Sequence, residues 1–244
     1  MKSVLIVSDN IELVTHFKVV VESISSEVAM FDYCYSVINK QPDVLKSLNM
    51  SVIDMRDNRH VNLIIDNYDL VISAHCKQIF PEKLVNSVCC INIHPGLNPY
   101  NRGWYPQVFS IINKKPIGCT LHIMDAEIDH GDVIYQQEVI VNSWDTSLDV
   151  YKRVVDAEKK LIKKHLLDLI SGNYEYFKLK NNGNYNGIKD FNELSSLNLA
   201  STATLGEHID LLRALTHGDF NNAYFIDDQG NKVFVKITLE KNNS

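Results

Sequence analysis

Five short apolar runs, most of them followed by a stretch with helical patterning, dominate the first hundred residues. Val4-Leu5-Ile6-Val7 opens the series, and residues 29–33, 51–53, 69–73 and 88–93 continue it. Runs this short and this apolar suit strands buried on both faces. Residues 11–25, 42–48 and 57–66 carry the helical patterning between them, and Ser8-Asp9-Asn10 offers N-cap chemistry to the first helix. Strands alternating with helices predict a parallel α/β sheet. Such sheets hold ligands beyond the carboxyl ends of their strands. Ser8-Asp9-Asn10-Ile11 stands where a G-x-G-x-x-G turn would follow the first strand, and neither a P-loop nor a G-x-S-x-G elbow occurs. The expectation is a sheet that does not bind NAD or ATP in the usual way.

Beyond residue 100 the pattern changes. Residues 104–113 read as a helix, 118–124 and 133–139 as two strands joined by an acidic loop, and 148–170 as a long helix stopped at Ser171-Gly172-Asn173. Near residue 180 the composition shifts to Asn and Gly (Asn181-Asn182-Gly183-Asn184), which marks a boundary. Residues 222–227 and 232–239 flank Asp228-Gln229-Gly230-Asn231, a hairpin signal. We therefore expect a main domain over residues 1–180 and a C-terminal region over 181–244 that contains a β-hairpin. A chain of 244 residues can build a sizeable core without metals or disulfides. Its net charge of −6 argues against a dedicated nucleic-acid binder. The five cysteines are odd in number and form no C-x-x-C pair, so they read as small hydrophobes. With no signal peptide and no apolar stretch near the ~20 residues of a membrane span, the expected location is the cytoplasm, with no membrane partner.

Chemistry concentrates in two segments. In Asn92-Ile93-His94-Pro95-Gly96 a period-two strand puts Asn92 and His94 on one face, and Pro95 ends the strand. An amide donor beside an imidazole suits oxyanion stabilisation together with proton transfer; a polar strand end satisfying a turn would look the same. The second segment is Asp129-His130-Gly131-Asp132, a loop carboxylate that also reads as an ordinary turn. His16, His60, His165 and His208 match no ligand spacing, and His122 reads as a structural strand residue, so no metal site is expected.

Taken together, Asn92-x-His94-Pro95, Gly118-x-Thr120-x-His122 and Asp129-x-Gly131-x-x-Ile134 resemble the folate-dependent formyltransferases over residues 1–170, most specifically over 73–137. The segments from Ser73 to Pro81, from His94 to Gln107, Leu212-Arg213-Ala214-Leu215, and Phe220-Asn221-Asn222-Ala223-Tyr224 are most similar to the sugar-nucleotide branch. The resemblance implies a Rossmann-like formyltransferase domain and a small hairpin-containing C-terminal subdomain. It also implies 10-formyltetrahydrofolate as co-substrate, a dTDP-linked 4-amino-4,6-dideoxyglucose as acceptor, and a homodimer. Asn92, His94 and Asp129 correspond to the catalytic trio. Asn92 fits as oxyanion donor, His94 as proton shuttle, and Asp129 as the group that orients His94 or attracts the ammonium. By position, Gln78, Ile79, Phe80, Asp125 and Ile128 would meet the pterin. Lys77 and Arg102 would meet the diphosphate, and Trp104, Tyr105, Phe220 and Tyr224 would meet the base or sugar. Core packing and solvated surface charge are the alternatives for the apolar and basic members of these sets. The short C-terminal region departs from the methionyl-tRNA enzymes.

Two other readings stand beside this one. The same chemistry could serve another amine, such as a 3-amino sugar nucleotide or glycinamide ribonucleotide. Alternatively, the chain is a non-catalytic folate- or nucleotide-binding regulatory module. Ser51-Val52-Ile53-Asp54 even offers the strand-end Asp of a signalling receiver, but that reading leaves residues 92–134 unexplained.

Overall fold

The strand–helix alternation becomes a seven-stranded sheet in the computed structural model, which describes residues 1–242. The first half runs β1 (Lys2–Ser8), α1 (Ile11–Val21), β2 (Ala29–Ser36), α2 (Pro42–Lys46), β3 (Ser51–Ile53), α3 (Asn58–Asn67), β4 (Leu70–Ala74), α4 (Glu82–Val85) and β5 (Cys89–His94). Next come β6 (Arg102–Gly103), α5 (Pro106–Asn113), β7 (Ile117–Ile123), β8 (Val133–Val139) and α6 (Ser147–Ser171). The chain closes with β9 (Tyr185–Asn186), α7 (Ile188–Ser195), α8 (Leu205–Leu215), β10 (Ala223–Ile226) and β11 (Lys232–Val235).

The sheet order is β3-β2-β1-β4-β5-β7-β8. The first five strands pair in parallel, as the alternation predicts. The last two do not: β7 is antiparallel to β5, and β8 to β7. A loop without a helix joins β7 to β8, and such a connection is too short for a parallel crossover. The sheet is therefore mixed. The chain winds away from β1 in one direction through β2 and β3, and in the other through β4 and β5. The gap between the ends of β1 and β4 is thus the topological switch point, where open α/β sheets place ligands.

The period of two splits each central strand between two cores. Val4, Ile6, Ile72, Ile91 and Ile93 face the larger core under α1, α5 and α6, while Leu5, Val7, Val71 and Cys90 face the smaller one with Phe80 and Leu84. Helix α6 is two residues longer than its apolar stripe predicts, closed by a Thr146–Asp149 capping box and by Gly172 at φ 72. The C-terminal region is not a detached appendage, because Ala214, Leu215 and Ala223 are wholly buried in the larger core. Helices α7 and α8 were not anticipated from sequence. The Asn-rich stretch lies along the loop after β5, where the Arg102 N–H donates to Asn184 O and the Trp104 N–H to Asn186 O, each at 2.9 Å.

Candidate active site

Asn92 and His94 end β5 on the face opposite Ile91 and Ile93, so both leave the larger core and line a cleft of about 420 Å³ at the carboxyl ends of β4 and β5. Asp129 reaches the same cleft from the β7–β8 loop, at φ 51 in the left-handed region. A non-glycine residue there is held by its surroundings. Asn98 Nδ2 donates to Asp129 O at 2.9 Å, and the Gly103 N–H donates to Asp129 Oδ2 at 3.1 Å. Gly131 allows the loop to close, since a Cβ at this position would lie 1.8 Å from Ile123 O. Gly131→Ala should therefore destabilise the protein by about 2–4 kcal/mol in urea unfolding, and lower turnover by displacing Asp129.

The fold brings the three predicted groups together. Asp129 Oδ1 accepts from Asn92 Nδ2 at 3.1 Å and lies 3.3 Å from His94 Nδ1. Burial pushes the His94 imidazole down to about 4, against the pull of the Asp129 carboxylate. Burial alone would raise Asp129, but the His94 and His122 rings and the Gly103 N–H outweigh it and hold the carboxyl at about 2. Near neutral pH the pair is an ionised carboxylate beside a neutral imidazole. The carboxylate calls for the imidazole proton on Nδ1, which leaves Nε2 as the lone-pair nitrogen. That Nε2 is buried and has no hydrogen-bond partner. A neutral imidazole oriented by a carboxylate, with one unpaired nitrogen, has the chemistry to act as a general base.

His122, read from sequence as a structural strand residue, is buried with both ring nitrogens partnered and also lines the cleft. It pairs with Asn92 across β5 and β7, and a period-two strand puts it on the same face. Its Nδ1 lies 2.9 Å from Ile123 O, so Nδ1 carries the proton and Nε2 faces Asn92 Nδ2 at 3.3 Å. Both amide protons of Asn92 are thus engaged, one by Asp129 and one by His122.

The other predicted residues divide. Lys77, Gln78, Ile79, Phe80, Trp104, Tyr105, Asp125 and Ile128 line the cleft. Ile79 is 69% exposed and Ile128 41%, which makes an apolar rim. Gln78 is committed elsewhere through its side chain, which accepts from the Met55 N–H at 3.1 Å and donates to Asp54 at 2.6 Å. The strand-end Asp54 considered for a receiver is thereby tied up. Phe80 is buried in the smaller core. Arg102 faces a neighbouring cavity of about 330 Å³ and donates to Ile128 O at 3.2 Å. Tyr224 lies under Lys232 on the hairpin, and neither it nor the exposed Phe220 lines the cleft. Phe220 touches it only indirectly, through the His217 ring at 5.8 Å, which contacts Tyr151 at 5.5 Å.

Sequence reasoning missed His75, Tyr151 and Tyr185, which also line the cleft. His75 directly follows a strand pointing at the switch point, and that placement was the available signal. Among the described residues no cluster of His, Cys, Asp or Glu is arranged to hold a metal, and no helix is long and apolar enough to cross a membrane.

Comparison with known proteins decides the family. The model described as formyl transferase matches residues 17–166. The chain belongs to the formyltransferase family. Residues 190–241 match the N-formyltransferase dimerization C-terminal domain. A dTDP-4-amino-4,6-dideoxyglucose formyltransferase from Mycobacterium tuberculosis is 49% identical over 177 residues, covering 72% of this chain and 76% of the relative. Two solved structures resemble this formyltransferase over nearly their whole length. A sugar N-formyltransferase from a Shewanella species is 54% identical, with a TM-score of 0.97 and 99% of each chain covered. A 4-N formyltransferase from Francisella tularensis is 48% identical, with a TM-score of 0.92 and 98% of each chain covered.

Proposed function

We propose that this formyltransferase moves a formyl group from 10-formyltetrahydrofolate to the 4-amino group of dTDP-4-amino-4,6-dideoxyglucose, in the cytoplasm, for surface-polysaccharide assembly. The observation that carries the chemistry is the unpaired Nε2 of a neutral, buried His94 backed by ionised Asp129. The named activity of the 49%-identical relative supports the choice of acceptor.

The cleft fits a flat donor ring. Exposed Ile79 and Ile128 offer apolar faces, and Gln78, with its side chain occupied and its N–H directed at the Cys76 thiol, leaves its backbone carbonyl for the pterin edge. Lys77 is exposed on the same wall, its backbone N–H fixed by Asp9 Oδ2 at 2.7 Å, and suits a diphosphate. Trp104 and Tyr105 are half-exposed neighbours with rings 5.7 Å apart, a surface for a sugar or base. Arg102 supports the Asp129 loop through Ile128 O, while Phe220 and Tyr224 stand outside the cleft, where they would meet only the far end of an extended nucleotide.

In the reaction His94 Nε2 takes a proton from the attacking nitrogen and returns it to the leaving nitrogen of the donor. Asp129 keeps the imidazole in the required tautomer and stabilises its transient charge. Asn92 donates to the developing oxyanion by releasing its longer contact, that to His122. The C-terminal region, which matches a dimerization domain, pairs two copies.

A panel of acceptors tests the assignment. With the donor saturating, kcat/KM for the dTDP-linked 4-amino sugar should exceed that for a dTDP-linked 3-amino sugar and for glycinamide ribonucleotide by at least about 10²-fold. Preference for glycinamide ribonucleotide would refute the acceptor. Light scattering should give a dimer at micromolar concentration, and a monomer there would remove the pairing.

A further inference from the structure

We propose that the turn after β1, Asp9-Asn10, is a clamp that fixes the donor-side wall of the cleft, with Asp9 as the positioning residue. The inference rests on the formyl-transfer reading, which sets the donor ring against that wall.

This turn stands where a dinucleotide-binding sheet carries its glycines. A glycine turn leaves backbone N–H groups free at the switch point for a phosphate. Here side chains fill that place. Ser8 pairs with Ala74 in the β1–β4 register, so residues 9–10 lie beside the segment that leaves β4. That segment supplies the wall, since Lys77, Gln78 and Ile79 line the cleft. Ser73 pairs with Asn92, so the wall starts one strand away from the Asn92 amide.

Both oxygens of Asp9 accept twice. Oδ1 takes the Ser36 N–H at 3.1 Å and Asn39 Nδ2 at 2.9 Å, and Oδ2 takes Ser36 Oγ at 2.6 Å and the Lys77 N–H at 2.7 Å. A single carboxylate thus joins the ends of β1 and β2 to the turn after β4. Asn10 holds the same turn two residues earlier. Its Oδ1 caps α1 by accepting from the Glu12 and Leu13 N–H groups, which leaves Nδ2 to donate to His75 Nδ1 at 3.3 Å. The φ of His75 is 58, a left-handed conformation that a non-glycine residue keeps only where its contacts hold it. Further along, Gln78 is tied to the Met55 N–H and to Asp54, and Phe80 is buried in the smaller core. A wall already fixed at its backbone takes a flat ring without an ordering cost.

Asp9→Asn isolates the contact to the wall. An amide offers one acceptor oxygen and one NH2 group. With the NH2 in the place of Oδ1, it would oppose both the Ser36 N–H and Asn39 Nδ2. With the NH2 in the place of Oδ2, it opposes only the Lys77 N–H, because the Ser36 hydroxyl can accept where it now donates. The second orientation costs less, so the variant keeps the joint between β1 and β2 and releases Lys77. Ser36→Ala does the reverse. It removes the hydroxyl bond from a buried site and leaves Asp9 Oδ2 to the Lys77 N–H.

The test combines equilibrium binding of 10-formyltetrahydrofolate with steady-state turnover of the dTDP-linked 4-amino sugar, for wild type, Asp9→Asn and Ser36→Ala. Asp9→Asn should raise both Kd and KM for the donor about tenfold, the loss that one released backbone hydrogen bond gives. Its kcat at saturation should stay within about twofold of wild type, since the groups around His94 are untouched. Ser36→Ala should lower the urea midpoint and leave the donor Kd as it was. An unchanged donor Kd in Asp9→Asn, or an equal rise in both variants, would mean a structural role and overturn the inference. Amide exchange of the wild type carries the test if Asp9→Asn does not fold. The Lys77 N–H should be protected, and exchange at the rate of an unbonded turn would overturn the clamp. A wild type that binds the donor but turns over no acceptor would instead refute the formyl-transfer reading, while the binding titration still decides the clamp.

Discussion

His94→Gln should lower kcat by at least about 10²-fold, and by as much as about 10⁴-fold, while the protein remains folded. Glutamine keeps a polar side chain of similar reach but has no nitrogen lone pair, so proton transfer at the amine is lost and binding is not. The same substitution should change the acid stability in a way that identifies the cause. The wild-type imidazole falls from its ordinary 6.5 to about 4 on folding. A histidine whose value is depressed on folding contributes stability that is complete above the unfolded value and is lost as pH falls toward the folded one. Between pH 6.5 and 4 the wild type should therefore lose about 3 kcal/mol that the variant does not, at about 1.4 kcal/mol per pH unit. Urea titrations across that window measure it. Equal slopes for the two proteins would mean that His94 is not held neutral. Turnover carries the complementary sign, since protonation of His94 should not limit activity between pH 6 and 8.

Asp129→Asn is the second large effect. The carboxylate accepts from Asn92 Nδ2 and the Gly103 N–H and lies against His94 Nδ1. An amide in its place must point an NH2 group at one of these donors. One orientation opposes Gly103, and the other opposes Asn92 and His94 and drives the imidazole proton to Nε2, the nitrogen that must be bare. We expect kcat to drop about 10³-fold or more, because the wrong tautomer removes the base, and stability to fall by about 1–3 kcal/mol for the unsatisfied donors. Retained turnover with normal stability would show that the carboxylate neither orients His94 nor holds its tautomer.

The sheet was legible where burial leaves the strongest mark. Val4-Leu5-Ile6-Val7, residues 69–73 and residues 88–93 became β1, β4 and β5 within a residue or two, because a strand covered on both faces has no room for polar side chains. The long helix was equally plain, its apolar stripe fixed by one buried face. Helices α7 and α8 were not, since Asn- and Ser-rich flanks masked short segments that bury only a few residues each. The direction of β7 was also hidden, because a period of two marks a strand without marking its sense.

The site divides the same way. Asn92 and His94 share a face by local geometry alone. Asp129, 37 positions after Asn92, joins them only through the fold. The contact between His75 and Glu158 spans 83 positions and has no local signature at all. His122 illustrates the limit. Its strand position read as structural, and only the pairing of β5 with β7 reveals that it faces Asn92.

The central claim is that this cleft performs formyl transfer rather than merely holding folate or nucleotide. Purified protein incubated with 10-formyltetrahydrofolate and dTDP-4-amino-4,6-dideoxyglucose should yield a formamide, seen as a formyl proton by NMR and as the mass of one added carbonyl. The product should disappear with His94→Gln. Donor and acceptor both bound by the wild type, with no formamide formed, would contradict the account.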